Sequence, residues 1–235
     1  MNDLATVLWK EAVEFWGNRR YLRVFATSVI IMGILPSLNH AHGHGGTAML
    51  DIIDTIYVLF AAIVVVAQTA PDLVLHERVG HTLDYLLTTR LPDSAIFGAK
   101  GLMSFAVGYS AAMLSMMVQL VSIGLISGNG FHWLFLATPI GRVIAFGLTA
   151  GIALYVAVVG TFVGVRVGEQ RAAYMVTMLS VGLLIGPFLI GWIPFTLTLS
   201  WATRVTVAIN ALAIVLGLVG LRLFRRDMLV LYLQE

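Results

Sequence analysis

Three histidines occupy alternate positions of a glycine-rich stretch and are the clearest candidate metal ligands in the chain. They are His40, His42 and His44. Imidazole nitrogens at this spacing can chelate Zn²⁺ or Cu²⁺ in an extended or turn conformation, and Asp51 and Asp54 follow as candidate oxygen ligands. The flanking glycines suit such a site, and they equally suit a solvated polar loop. Both interpretations stay open at this stage.

A second histidine pair resembles the zinc-protease motif H-E-x-x-H but has the wrong spacing. His76 and Glu77 are followed by His81, so the two imidazoles are five residues apart and lie about 140° apart around a helix. The sequence also contains no G-x-x-x-x-G-K-[ST] loop for a nucleotide and no cysteine. We therefore do not expect this chain to be an enzyme.

The composition excludes a soluble domain. Of 235 residues, 59% are hydrophobic and 11% are charged, whereas soluble domains contain about 45–50% and about 25% of these classes. A water-soluble fold of this size could not bury so much apolar surface. The net charge of +2 is mild, and we expect no nucleic-acid partner. The chain is predicted to be a polytopic membrane protein.

Six apolar runs approach or exceed the roughly 20 residues of a membrane-spanning helix. We predict an all-α polytopic fold, one transmembrane domain over residues 1–235, with six transmembrane helices. No small-residue cleavage site follows a short apolar segment near the start, so we expect no removed signal peptide. The predicted spans are Val24–Leu38, Ile52–Leu75, Leu102–Ser127, Val143–Val165, Ala172–Ile193 and Val205–Leu221.

Basic residues are distributed unevenly between the two sides of these spans. With both termini inside, only Arg142 and Arg204 lie outside, which leaves 12 of the 14 lysines and arginines inside. Positive residues favour the cytoplasmic side. We expect a multi-pass protein of the cell membrane with both termini in the cytoplasm.

Small residues at helix-contact spacing predict close approaches between helices in the lipid bilayer. They form two pairs, Gly147/Gly151 and Gly182/Gly186, and one triplet, Gly160/Gly164/Gly168.

Residues 2–20 predict a separate interfacial helix before the first span. A polar stripe recurs at spacings of three and four, while Trp9 and Trp16 on the apolar remainder suit the headgroup region. The Gly17-Asn18 step breaks this helix from the first span. The stripe consists of Asp3, Thr6, Lys10 and Glu14.

A short amphipathic helix is predicted in the loop between spans two and three. Leu83, Leu86 and Leu87 share one face, Pro92 stops the helix, and Asp93-Ser94 can cap the next one. Such a helix can lie on the headgroups or fill a groove on a cytoplasmic partner.

This loop resembles the signature of type-2 permease subunits of ATP-binding-cassette exporters. In that family the pattern E-R-x-x-G-T-L-[ED]-x-L-L-x-T-P follows the second span, with an Ile and a Lys downstream. His81 replaces the usual Gly and Arg90 the usual Pro. The matching positions are Glu77, Arg78, Thr82, Leu83, Asp84, Leu86, Leu87, Thr89, Ile96 and Lys100.

The resemblance implies that residues 76–91 form a coupling helix that docks on a separate ATPase subunit. The signature residues from Glu77 to Leu87 would transmit the closure of that subunit to the membrane helices. ATP and Mg²⁺ would bind the partner, with no cofactor in this chain, and a second permease copy would complete the transporter in the lipid bilayer. The alternative is a non-transporting membrane scaffold or assembly factor whose loop recruits a cytoplasmic partner.

Overall fold

The computed structural model describes residues 3–41, 47–79, 92–127, 136, 138–189 and 198–223, nearly all of which are helical. The predicted all-α fold is confirmed over these residues. In chain order the helices are α1 (Asp3–Gly17), α2 (Arg19–Ala41), α3 (Thr47–Val79), α4 (Asp93–Ser127), α5 (Pro139–Arg166), α6 (Gln170–Leu189) and α7 (Leu199–Leu223).

Five of these helices are long and apolar enough to cross a membrane. Helix α6 occupies the position of the predicted fifth span, with 20 residues, but it is not among the five. The multi-pass character is confirmed, whereas the count of six and the side on which the termini lie stay predictions. The five spans are Arg19–Leu38, Asp54–Glu77, Ser94–Ile126, Pro139–Arg166 and Leu199–Arg222.

The span within α4 begins eight residues earlier than the sequence predicted, at Ser94 instead of Leu102. The predicted span left out Lys100, because a charged side chain is costly inside a membrane. In the structure the ammonium group of Lys100 is buried and paired with carboxylates. A paired lysine is compatible with a continuous helix, so α4 runs straight through this position.

Helix α3 is the centre of the bundle. Its membrane-spanning window is 78% buried, against 17% for that of α7, and it contacts α2, α4, α5 and α6. Because α3 has neighbours on nearly every side, its sequence is apolar all round instead of amphipathic. Its residues Val58, Ile63 and Val66 are fully buried in the main core, together with Met116 of α4 and Ala153 of α5.

Two pairs of the predicted small residues make close helix contacts. A Cβ on Gly164 would lie 2.7 Å from the carbonyl oxygen of Pro71, and one on Gly160 would lie 2.8 Å from the Ala70 Cβ, so α5 packs tightly against the C-terminal third of α3. Gly147 and Gly151 contact α7 in the same way. The remaining predicted glycines have open space around their Cβ positions among the described residues, so no contact explains Gly168, Gly182 and Gly186.

A π-helical segment, Val143–Leu148, interrupts α5 near its start. The Thr149 hydroxyl donates to the carbonyl oxygen of Ile144 at 3.1 Å. The carbonyl oxygen of Gly147 accepts a hydrogen bond from the Asn210 side chain of α7, also at 3.1 Å. A wider turn frees carbonyl groups from the regular ladder, and here the neighbouring helix supplies a donor.

The predicted break between α1 and α2 is confirmed at Gly17 and Asn18. The Asn18 side chain accepts a hydrogen bond from the backbone N–H of Arg20 at 2.9 Å, which is the usual way an N-cap residue satisfies a free donor. Phe15 stacks on Tyr21 with ring centroids 5.7 Å apart. This contact folds α1 back against the first turn of α2.

Candidate functional site: a charge network at the base of the loop

Helix α1 turns an acidic residue toward the bundle. Val7, Glu11 and Phe15 are spaced four residues apart, which places them on one face, and all three are at most 2% exposed. Trp9 and Trp16 are 73% and 64% exposed. The exposed tryptophans agree with the predicted interfacial helix, whereas a buried Glu11 on an apolar face requires a partner within the protein.

That partner is Lys100 of α4. Its Nζ atom lies 2.8 Å from Glu11 Oε1, 2.8 Å from Glu77 Oε2 and 2.8 Å from the carbonyl oxygen of Leu73. The ammonium group donates hydrogen bonds to Glu11 and to the Leu73 carbonyl, and Glu77 Oε2 lies within ion-pair distance of it. Lys100, Glu11 and Glu77 have side chains that are at most 3% exposed, so α1, α3 and α4 are joined through one buried cation.

A second lysine completes the network from the outside. Lys10 donates a hydrogen bond to Glu77 Oε1 and lies 3.7 Å from Glu11 Oε1 and 3.5 Å from Glu14 Oε1. The side chains of Lys10 and Glu14 are 34% and 45% exposed. We call these residues the charge network, with a buried part around Lys100 and a solvated rim around Lys10: Lys10, Glu11, Glu14, Glu77 and Lys100.

The electrostatics of α1 follow from this arrangement. Burial raises the pKa of the Glu11 carboxyl, and the attraction of Lys100 offsets only part of that effect. Burial by itself lowers the pKa of Lys10, but its hydrogen bond to Glu77 and the attraction of the nearby carboxylates outweigh burial and raise it. The network therefore holds Lys10 in its charged form.

The three carboxylates could suggest a metal site, since one oxygen from each of Glu11, Glu14 and Glu77 lies within 4.8 Å of the others. Two ammonium groups already stand among these oxygens, however. The arrangement is an ion-pair network, and removing one member of a buried pair leaves an uncompensated charge. This network can fix the relative positions of α1, α3 and α4.

The residues predicted from the family signature are only partly described. Glu77 lies in the last turn of α3 and belongs to the charge network, and the Arg78 backbone follows it in the helix. Residues 80–91 lie outside the described part of the chain, which leaves a set of predicted coupling positions as predictions: Thr82, Leu83, Asp84, Leu86 and Leu87.

The histidine loop is also largely outside the described residues. The His40 backbone belongs to the last turn of α2, which ends at Ala41, and residues 42–46, which include His42 and His44, are not described. The metal-site prediction for these three residues therefore stays a prediction. Asp54, predicted above as a candidate oxygen ligand, is fully buried.

The structure brings together two signature residues that are far apart in sequence. Glu77 precedes the loop and Lys100 follows it, and their side chains form an ion pair across the loop base. Ile96, another signature position, lies about one helical turn before Lys100 in α4 and is 3% exposed. Sequence reasoning missed the contribution of Glu11, although an acidic residue midway between Val7 and Phe15 on the apolar face of α1 was a usable signal.

A comparison of the sequence with protein-family profiles finds no matching family, and a comparison with curated proteins finds no matching relative.

Proposed function

We propose that this chain is the membrane-spanning permease subunit of an ATP-driven exporter, coupled to a separate ATPase through the loop between α3 and α4. The proposal rests on the resemblance of residues 77–100 to the type-2 permease signature. The observation that carries it is the ion pair between Glu77 and Lys100. These two charged residues of the signature lie 2.8 Å apart and join the two ends of the loop that would face the partner.

A coupling segment has to transmit force, and the charge network supplies a rigid base for it. Glu77 is tied to α4 by Lys100 and to α1 by Lys10. A displacement applied to the loop therefore reaches three helices together, including α3 at the centre of the bundle. A loop that only recruits a soluble protein has no need for such a base.

The energy for transport must come from another chain under this proposal. The sequence has no phosphate-binding loop, so the ATPase would bind ATP and Mg²⁺ on its own residues. A second permease copy would pack on the bundle to complete the transporter. Exposed apolar residues of α6, which include Met175, Leu179 and Leu183 at 53–72% exposure, leave a face open to that copy or to lipid.

The test is co-purification from native membranes in mild detergent. Leu86→Glu places a charge on the predicted apolar face and should abolish recovery of a P-loop ATPase, because an unpaired charge cannot enter an apolar contact. Thr88→Glu is the matched control. At about 100° per residue it lies roughly 150° from the centre of that face, and it should retain the ATPase.

The outcomes separate the two functional classes. An ATPase bound to wild type and to Thr88→Glu but not to Leu86→Glu supports the permease assignment. A partner without a nucleotide-binding motif, lost in the same variant, would indicate a scaffold instead. Equal recovery of the ATPase with both variants would show that this loop is not the docking site.

A further inference from the structure

A cavity of about 680 Å³ lies between α1, α4, α5 and α7. Its volume is in the range of ligand pockets, about 300–1,000 Å³. The walls are formed mainly by apolar side chains and glycines of the membrane spans, among them Leu4, Gly101, Val158, Gly217 and Leu221. An apolar lining of this kind suits a hydrocarbon chain.

Three glycines keep this cavity open without being needed for helix packing. A Cβ on Gly98, Gly101 or Gly217 would meet its nearest neighbour at 3.4, 3.9 and 3.6 Å, which are ordinary contact distances. At Gly164 and Gly108 a Cβ would instead clash, at 2.7 and 1.9 Å. The second kind of glycine serves close helix contact, whereas at the first kind a Cβ would fit against the cavity wall and a larger side chain would take up cavity volume.

The cavity reaches the surface that faces the bilayer. Leu102 lines it and is 42% exposed, and Leu218, next to the lining residue Gly217, is 57% exposed. An acyl chain can therefore enter from the side of the bundle. Pro92 and Ser94 stand at the end of the cavity nearest the start of α4, where a polar headgroup would meet the membrane surface.

Three arginines and two aspartates, Asp93 and Asp227, occur in the sequence segments next to that end. Arg222 follows the lining residue Leu221 in the last turn of α7 and is exposed, and the sequence continues with Arg225 and Arg226. In the orientation predicted from basic residues this end is cytoplasmic. Basic residues just outside a span attract anionic headgroups.

We propose that this cavity, called here the glycine groove, binds one anionic phospholipid of the membrane, with an acyl chain between Gly101 and Gly217 and the headgroup beside Arg222. The site is separate from the predicted ATPase contact and does not depend on the proposed function. Chain burial supplies the affinity and Arg222 supplies the headgroup preference.

The experiment is native mass spectrometry of the full chain, delipidated in detergent and titrated with phosphatidylglycerol or with phosphatidylethanolamine of the same chain length. Wild type should take up one phosphatidylglycerol in preference to phosphatidylethanolamine. Gly217→Leu fills the groove and should weaken binding by about tenfold or more, since losing the burial of two methylene groups already accounts for that factor. Gly182→Leu, at an open position on α6, is the matched control and should bind as wild type does.

Two further variants keep the result interpretable. Gly101→Leu blocks the opposite wall and should reproduce the loss if Gly217→Leu fails to fold, as judged by gel filtration. Arg222→Gln should remove the preference for phosphatidylglycerol while binding of a lipid persists.

Three results would overturn the proposal. One is equal phosphatidylglycerol binding by wild type and both groove variants, and another is equal affinity of wild type for the two headgroups. The third is a groove occupied by the C-terminal residues 224–235 of the same chain. In that case lipid would bind only to a variant that lacks residues 224–235.

Discussion

Replacing Lys100 by methionine should be among the most damaging single substitutions in the chain. Met keeps most of the volume and the apolar stem but removes the cation that sits 2.8 Å from both Glu11 and Glu77. Glu11 would then be buried without its main counter-ion, while Glu77 would retain its contact with Lys10.

The magnitude follows from the contacts. Two charge-assisted hydrogen bonds contribute about 1.5–3 kcal/mol each, and breaking a buried ion pair costs about 3–5 kcal/mol. Because Lys10 still compensates Glu77, we expect a loss near the lower end, about 3 kcal/mol. For a chain of this size that loss corresponds to a fall in Tm of about 6–12 °C.

The assay is thermal unfolding in detergent, with Lys10→Met as the matched control. Both lysines contact Glu77, but the Lys10 side chain is 34% exposed and the Lys100 side chain is 3% exposed. Solvent screening limits an exposed pair to about 0.2–1 kcal/mol, so Lys10→Met should cost much less. The double variant Lys100→Met with Glu11→Gln should be more stable than Lys100→Met alone, because the stranded carboxylate is neutralised. Equal losses for the two lysine variants, or no gain in the double variant, would refute the buried-network interpretation.

Four other measurements address different parts of the structure. Gly164→Leu should lower stability by about 1–3 kcal/mol through overpacking, because its Cβ would meet the Pro71 backbone at 2.7 Å. Thermal unfolding checks this, with Gly182→Leu as the control that lacks such a contact. The pKa of Glu11 is raised on folding, so its contribution to stability is full below the unfolded pKa of about 4.3 and is lost as pH rises through the folded pKa. The Tm of wild type minus the Tm of Glu11→Gln should therefore fall from pH 4 upward. A difference that stays constant with pH would contradict the raised pKa. A cysteine at Gly43 should react with an impermeant thiol reagent from outside and one at Gly168 should not, and the reverse pattern would overturn the predicted orientation. If His40, His42 and His44 bind Zn²⁺, calorimetric titration of wild type should show a binding heat that decreases below about pH 6.5 and is absent in the triple alanine variant. The same heat for both proteins would show that the stretch is only a polar connection.

Much of the fold could be predicted because membrane helices have a strong local signal. Long apolar runs predicted the positions of α2 to α7, five of which are long and apolar enough to span a membrane. The Gly17-Asn18 step predicted the end of α1, and Pro92 followed by Asp93-Ser94 predicted that a helix begins there. The close contacts of Gly160 and Gly164 were also predictable from their spacing, whereas the same spacing at Gly182 has no such contact. Spacing shows that an approach is possible, and only the tertiary arrangement decides whether a neighbour is there.

The charge network could not be assembled from sequence. Lys10 and Glu77 are separated by 67 residues, and Lys100 and Glu11 by 89, and no periodicity connects such positions. The same limit explains why the predicted third span began at Leu102, after Lys100, instead of at Ser94. A lone charge in an apolar run predicts a helix end unless its partners are known, and those partners lie on two other helices.

The most direct test of the permease assignment is photocrosslinking from the loop in intact native membranes. A photoreactive amino acid at Leu86 should capture a P-loop ATPase, identified by mass spectrometry, and the same group at Thr88 should not, because it is predicted to lie on the opposite face. We expect the ATPase to be crosslinked from Leu86 and not from Thr88. If the group at Leu86 is crosslinked only to lipid, or to a protein without a nucleotide-binding motif, the chain is not the permease that we propose.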